Sequence, residues 1–333
     1  MLDARPLLVR AVWGDDPLPD PPEPLLRAGL RSARRNDVEG AFVRAYQDRL
    51  AAELRDLEST VLAYRANLHD ACRLLSRAGV TPILIKADPE EDFTYSNFDL
   101  VVGDDGWDRA VEALSSWATR RSSYPLERHT KLLLYPSSGP AVHLHRSVSW
   151  FDVPVIPTPD LRAGAVPAAG VECLLPAPID RFRIVLAHAA FQNHSLSLGE
   201  LRQLRALSGG GAVEAASARA GAEGWGRGFR EAWSAAAEAI RRLDSQWLDS
   251  RRLDSRPHAT TQPLAARGEL PSAAPTNAGP PRLPVPLPLR ATAVTALEHA
   301  AFLLRRGAPI LAARELALLE PLLVAKRRAA LRP

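Results

Sequence analysis

The sequence predicts an α/β (α+β) protein: a small mixed sheet flanked by helices, followed by a helical C-terminal region. Three observations point there. Apolar residues recur at spacings of three and four from about Val38 to Ala78, and four short apolar runs bounded by turn residues follow. The pattern then returns to helical spacing for most of the second half.

The elements follow in order. Residues 1–35 contain a Pro-rich stretch, Pro17 to Pro24, and read as an extended lead-in. In the long helical pattern Phe42, Tyr46, Leu50, Leu54, Leu57, Val61 and Leu68 share a face, with one break. Gly79 stops it, because glycine takes positive φ freely. Thr81 to Ile85 reads as a buried strand and Phe98 to Val102 as a second one. Asp104 and Asp105 open an amphipathic helix to about Ala118, with Trp107, Ala110, Val111, Leu114 and Trp117 on one side. Lys131 to Tyr135, the turn Pro136 to Pro140, and Val142 to His145 read as a β-hairpin. Residues 81–85, 98–102, 130–135 and 141–146 are thus expected in one mixed sheet, with the long helix packed on it. Ile179 to Phe191 and Ser197 to Leu207 read as a helix pair, and Gly228 to Trp247 as a third helix. Arg256 to Pro288 is rich in Pro, Ala and Thr and reads as a linker or long surface loop. A closing helical pair covers about Ala291 to Arg306 and Pro309 to Arg328. The expected organisation is a lead-in over 1–35, an α/β domain over 36–160, a helical region over 161–250, a linker over 251–288 and a helical pair over 289–333.

Composition narrows the function classes. With 46% hydrophobic residues among 333, the chain can bury one sizeable core or two modest ones. The 42 basic and 38 acidic residues leave a net charge of only +4. That argues against nucleic acid, which needs basic residues clustered on one face. The short cluster Lys326-Arg327-Arg328 reads as favourable charge at a helix C-terminus. Cys72 and Cys173 are far apart in sequence and lack metal-ligand spacing, which argues for a reducing compartment and makes Cys72 a core residue. No basic leader with an apolar stretch opens the sequence, and no apolar run approaches the ~20 residues of a spanning helix. The expectation is a cytoplasmic protein without a membrane partner.

Chemistry-bearing residues concentrate between Lys86 and His145. Strand residues two apart face the same side, so Asn97 points with Asp99, and His143 with His145. Lys86 stands just past a strand, where α/β folds place ligand-contacting groups. A carboxylate inside an apolar strand is costly unless paired, which singles out Asp99. Each other residue keeps a plain alternative: a solvated strand end for Lys86, a turn for Asn97, a polar hairpin face for His143 and His145. The acidic run Asp88 to Asp92 reads as a solvated loop, and His188 as a satisfied core residue.

Ile83-Leu-Ile-Lys-Ala87, then Tyr95-Ser-Asn-Phe-Asp-Leu-Val-Val102, then Val142-His-Leu-His145 resemble a family of bacterial nucleotidyltransferase-fold proteins. There a strand ends in Lys-Gly, a second carries Asp-x-Asp, and a later one carries an acidic residue before Leu-His. Leu186-Ala-His-Ala-Ala190 and the helices after it also resemble that family, and Glu200 stands where its helical part has an acidic residue. The resemblance implies a nucleotidyltransferase-like sheet and transfer of a nucleotidyl or related phosphate-linked group from a nucleoside triphosphate to a small molecule or peptide. It also implies Mg²⁺, or Mn²⁺, as cofactor. Carried over by position, Lys86, Ala87 and Ser96 would bind nucleotide, and Asp99 with Asn97 would hold metal. Asp99, His143 and His145 would form the catalytic set. The sequence departs from the family where Asn97 and His143 replace carboxylates and Ala87 replaces glycine. The alternative is therefore a degenerate member that binds a nucleotide, or a protein partner through its helical region, without catalysis.

Overall fold

The Pro-rich N-terminal stretch does not keep the chain extended. The computed structural model describes residues 3–86, 97–122, 129–150, 153–254, 283–313 and 315–317, and it opens with helices α1 (Arg5–Val12) and α2 (Glu23–Arg35). Pro6 and Pro24 sit in the first turns, where a missing N–H breaks no helical bond. Leu7, Leu8, Leu26, Leu30 and Ala33 are buried, so the expected lead-in is part of the core. The long helical pattern splits into α3 (Glu39–Ala45) and α4 (Ala51–Arg77). Gly79 ends α4 at φ +68°, with Val80 N–H donating to Leu75 O at 2.9 Å.

The strands are β1 (Ile83–Leu84), β2 (Asn97–Val101), β3 (Ala118–Ser122), β4 (Lys131–Pro136), β5 (Ala141–His145), β6 (Val148–Trp150), β7 (Val153–Ile156), β8 (Val166–Pro167) and β9 (Leu174–Leu175). Among the described residues the main sheet is seven-stranded and mixed, ordered β3-β4-β5-β2-β1-β9-β8. The hairpin β4–β5 forms as expected, and Gly139 at φ +76° makes its turn beneath Asn67, whose side chain donates to Ser138 O at 2.6 Å. β2 runs parallel to β5 and antiparallel to β1. Helix α5 (Trp107–Ser115) is shorter than Asp104 to Ala118. Ala118 instead starts β3, a strand not expected from Thr119-Arg-Arg; pairing with the apolar β4 decides it.

Helices cover both faces. Phe98, Leu100, Val142 and Leu144 pack with Tyr64, Leu68, Cys72 and Leu75 of α4 and with Ala110 and Leu114 of α5. Ile83, Ile85 and Val101 face the other layer, which contains Phe182, Ile184 and Leu186 of α7 (Pro178–Ala187). Between these helices in sequence lies α6 (Thr158–Gly164). A π-helical turn, His188–Asn193, continues α7. Then come α8 (Leu198–Leu207), α9 (Ala212–Ala222), α10 (Gly226–Asp254) and α11 (Leu289–Arg305). Of the linker expected over 251–288, residues 255–282 lie outside the described residues. Its start belongs to α10, and Val285–Pro286 pairs as a strand with Ser195–Leu196. Of the closing pair, α11 is present and helical backbone continues over 309–313 and 315–317. No described helix is long and apolar enough to cross a membrane.

Candidate functional site

Asp99 lies at the middle of β2, directly opposite His143 of β5 in the parallel register. The two side chains therefore share a face, and Phe98, Leu100, Val142 and Leu144 take the other. His145, two residues along β5, joins them. Lys86 enters from the end of β1 on the opposite flank of β2. Three strands thus converge on one carboxylate. His145 Nε2 lies 2.7 Å and His143 Nδ1 3.3 Å from Asp99 Oδ1, while Lys86 Nζ is 3.2 Å from Oδ2.

This carboxylate has no solvent exposure, because the α7 layer covers its face of the sheet. Burial alone would raise its pKa. The Lys86 ammonium and the contacts with His143 and His145 outweigh that and hold it well below the usual carboxylate range. Burial also pushes the His145 imidazole down, to about 4, against the pull of Asp99. His145 is then a neutral ring at physiological pH.

Two adjoining cavities open beside the cluster. One, about 40 Å³, is bounded by Lys86, Asp99, His145, Ser149, His188 and Gln192. The other, about 200 Å³, is bounded by Lys86, Asn97, Arg181, His188, Asn193 and Glu200, with Asp37 and Gln203 completing its polar wall. Burial pushes the Asp37 carboxyl up; Ser197 and His188 pull it down and Glu200 adds to the rise. His188 is no enclosed core residue. It lines both cavities, with Nδ1 at 3.3 Å from Glu200 Oε1 and 3.1 Å from Asn193 Nδ2. Glu200 is fixed by a capping box: its backbone N–H donates to Ser197 Oγ, and its carboxylate accepts from Ser197 N–H at 2.8 Å.

No family model, curated protein or solved structure matches this chain. The site therefore has to be read from its own geometry. Lys86, Asp99, His143 and His145 form one cluster. Asn97 heads β2 and lines the larger of the two cavities. Ala87, Ser96 and the acidic run 88–92 lie outside the described residues. Arg181, Asp37, Asn193 and Gln203 were not expected, whereas Lys86 and Asn97 on the same wall were; Glu200 carried a readable signal in Ser197-x-x-Glu200, a helix start.

The donor set does not fit Mg²⁺. That ion takes oxygen ligands in near-octahedral geometry, whereas the cluster offers one carboxylate, already facing an ammonium, and two imidazoles.

Proposed function

We propose that this chain is a nucleotidyltransferase-type protein that binds the phosphate end of a nucleoside triphosphate in the cavity beside Lys86. In its full form the reading includes transfer of the nucleotidyl group to a small-molecule or peptide acceptor. One observation carries it: Lys86, paired with Asp99 beside His143, also lines a cavity with Arg181 on its wall. Lys86 and Arg181 supply cationic donors suited to phosphate oxygens. His143, the more exposed imidazole of the pair, accepts the acceptor's proton.

A second reading, binding without transfer, is favoured by a specific observation. The cluster holds a single carboxylate, and Lys86 sits on one of its oxygens where the implied chemistry asks for a metal. The protein then acts by occupancy of the cavity, passing the bound state to a partner through its helical layer.

Calorimetry of the full chain with each nucleoside triphosphate, with and without a divalent cation, tests binding. Release of pyrophosphate in the presence of candidate acceptors tests transfer. Binding that is lost in Lys86→Met supports the site. If no nucleoside triphosphate binds under any cation, both readings fall.

A further inference from the structure

Asp99, His143 and His145 make a set of donors of a different kind from the one the fold resemblance implies. Their three ligand atoms, one carboxylate oxygen and two imidazole nitrogens, all lie within 4.8 Å of one another. We propose that these three side chains form a binding site for a borderline transition-metal ion of the Zn²⁺ class, and not for Mg²⁺. The inference stands apart from nucleotide binding, since it needs only the cluster.

The geometry is close to what such an ion requires. Ligand atoms about 2.0–2.2 Å from a tetrahedral zinc are about 3.3 Å from one another. Here His143 Nδ1 and His145 Nε2 approach the same oxygen, Asp99 Oδ1, at 3.3 and 2.7 Å. A small movement along these contacts makes room for an ion among the three atoms. The sheet fixes the ligands' backbones: His143 and His145 alternate on one strand, and Asp99 is in register on the next.

Two further observations point to a ligand. His143 Nδ1, one of the three proposed ligand atoms, is buried without a hydrogen-bond partner, 3.3 Å from Asp99 Oδ1. Groups so placed gain from an ion that accepts their lone pairs. The smaller cavity also reaches Asp99 and His145, which leaves a fourth position facing open space. Three protein ligands and one open position make the pattern of a reactive zinc rather than a structural one.

Lys86 does not block this arrangement, because it contacts Oδ2 and leaves Oδ1 to the histidines. Its charge does oppose a dication, so the affinity expected is micromolar rather than that of a closed structural site. Lys86 also borders both cavities and has space into which its ammonium can swing.

The test uses metal alone on the full chain, freed of metal by a chelator. Zn²⁺ is titrated by calorimetry, Co²⁺ by visible absorption, and Mg²⁺ serves as control. One Zn²⁺ per chain is expected, with intense cobalt bands of a four- or five-coordinate site and no heat from Mg²⁺. His143→Gln should weaken zinc roughly tenfold or more, with the metal-free melting midpoint measured alongside. His143→Cys adds a readout that loss of folding cannot imitate: it should retain cobalt and gain a thiolate-to-cobalt charge-transfer band. The proposal is overturned if Zn²⁺ fails to bind, if Mg²⁺ binds as tightly, if His143→Gln leaves zinc affinity unchanged, or if folded His143→Cys shows no thiolate band.

Discussion

Asp99 and Asp180 are both entirely buried, the first at the centre of the sheet and the second in the first turn of α7. Asp180 is held by guanidinium groups. Arg183 donates to Asp180 Oδ1 at 2.6 Å and Arg219 at 2.8 Å. Arg183 also binds Glu223, whose other oxygen accepts from Trp225 Nε1 at 3.1 Å. Asp99 is held instead by an ammonium and two imidazoles. The difference is one of exchange. A guanidinium has donors only and never gives up its charge, so it can pair a buried acid but offers no lone pair to a metal ion or a proton. An imidazole has a lone pair to offer to an ion or a proton. Equal burial thus accompanies a brace in one place and a poised site in the other.

The largest effect should come from breaking the brace. Arg183→Met leaves Glu223 buried beside an apolar chain and deprives Asp180 of one partner, at a cost of about 3 kcal/mol or more. Urea unfolding measures it, and zinc and nucleotide binding in the folded fraction should be untouched. A loss below about 1 kcal/mol would erase the contrast.

Asp99→Asn should do the reverse. Its amide oxygen still accepts from His145, and Lys86 can turn to the cavity, so the stability cost should be about 1 kcal/mol. Metal binding should disappear. Intact zinc binding in this variant would place the metal elsewhere.

The pH response sharpens the comparison further. Burial raises the Glu223 carboxyl above its ordinary value of 4.5, against the pull of Arg183. The folded state then keeps a proton that the unfolded chain has lost. This contribution to stability is full below about pH 4.5 and falls as pH rises through the folded value. Glu223→Gln should flatten that decline, so variant and wild type converge or cross in thermal melts as pH rises above the ordinary glutamate value. Parallel curves would show that Glu223 keeps its charge throughout.

The smallest effect on zinc itself is that of Lys86→Met. Removing the opposing charge should tighten zinc severalfold, although the metal-free chain then buries the Asp99 carboxylate without its cation, at a cost of about 3 kcal/mol. Weaker zinc binding would mean that Lys86 orients Asp99 rather than competing at it.

Much of the sheet was readable because period-two alternation leaves little freedom. Phe98-Asp99-Leu100 and Val142-His143-Leu144 can bury their apolar members on one face only by presenting Asp99 and His143 together on the other. Much of the cavity wall was not readable. Arg181, His188 and Asn193 reach it because α7 docks on the sheet and then widens into a π turn, and neither event has a local pattern. The N-terminal helices were obscured by prolines that mark helix starts rather than extended chain. β3 was missed because its strand character comes from β4 beside it, not from its own residues. The edge strand β8 and its neighbour β9, two residues each, are too short to carry a period at all.

The parallel pairing of β2 with β5 has a consequence for how the molecule comes into being. The hairpin β4–β5 closes locally, but His145 meets Asp99 across 46 residues of chain, and a parallel pair cannot be made by a tight turn. Contacts of such separation pay their loop entropy before they return anything, so they are slow to form. The cluster should therefore be absent from early collapsed states and arise only as β2 inserts between β1 and β5. An ion bound there would act as a clock for the last step of folding: metal uptake during refolding should lag the recovery of helical signal, and should report when the sheet is complete.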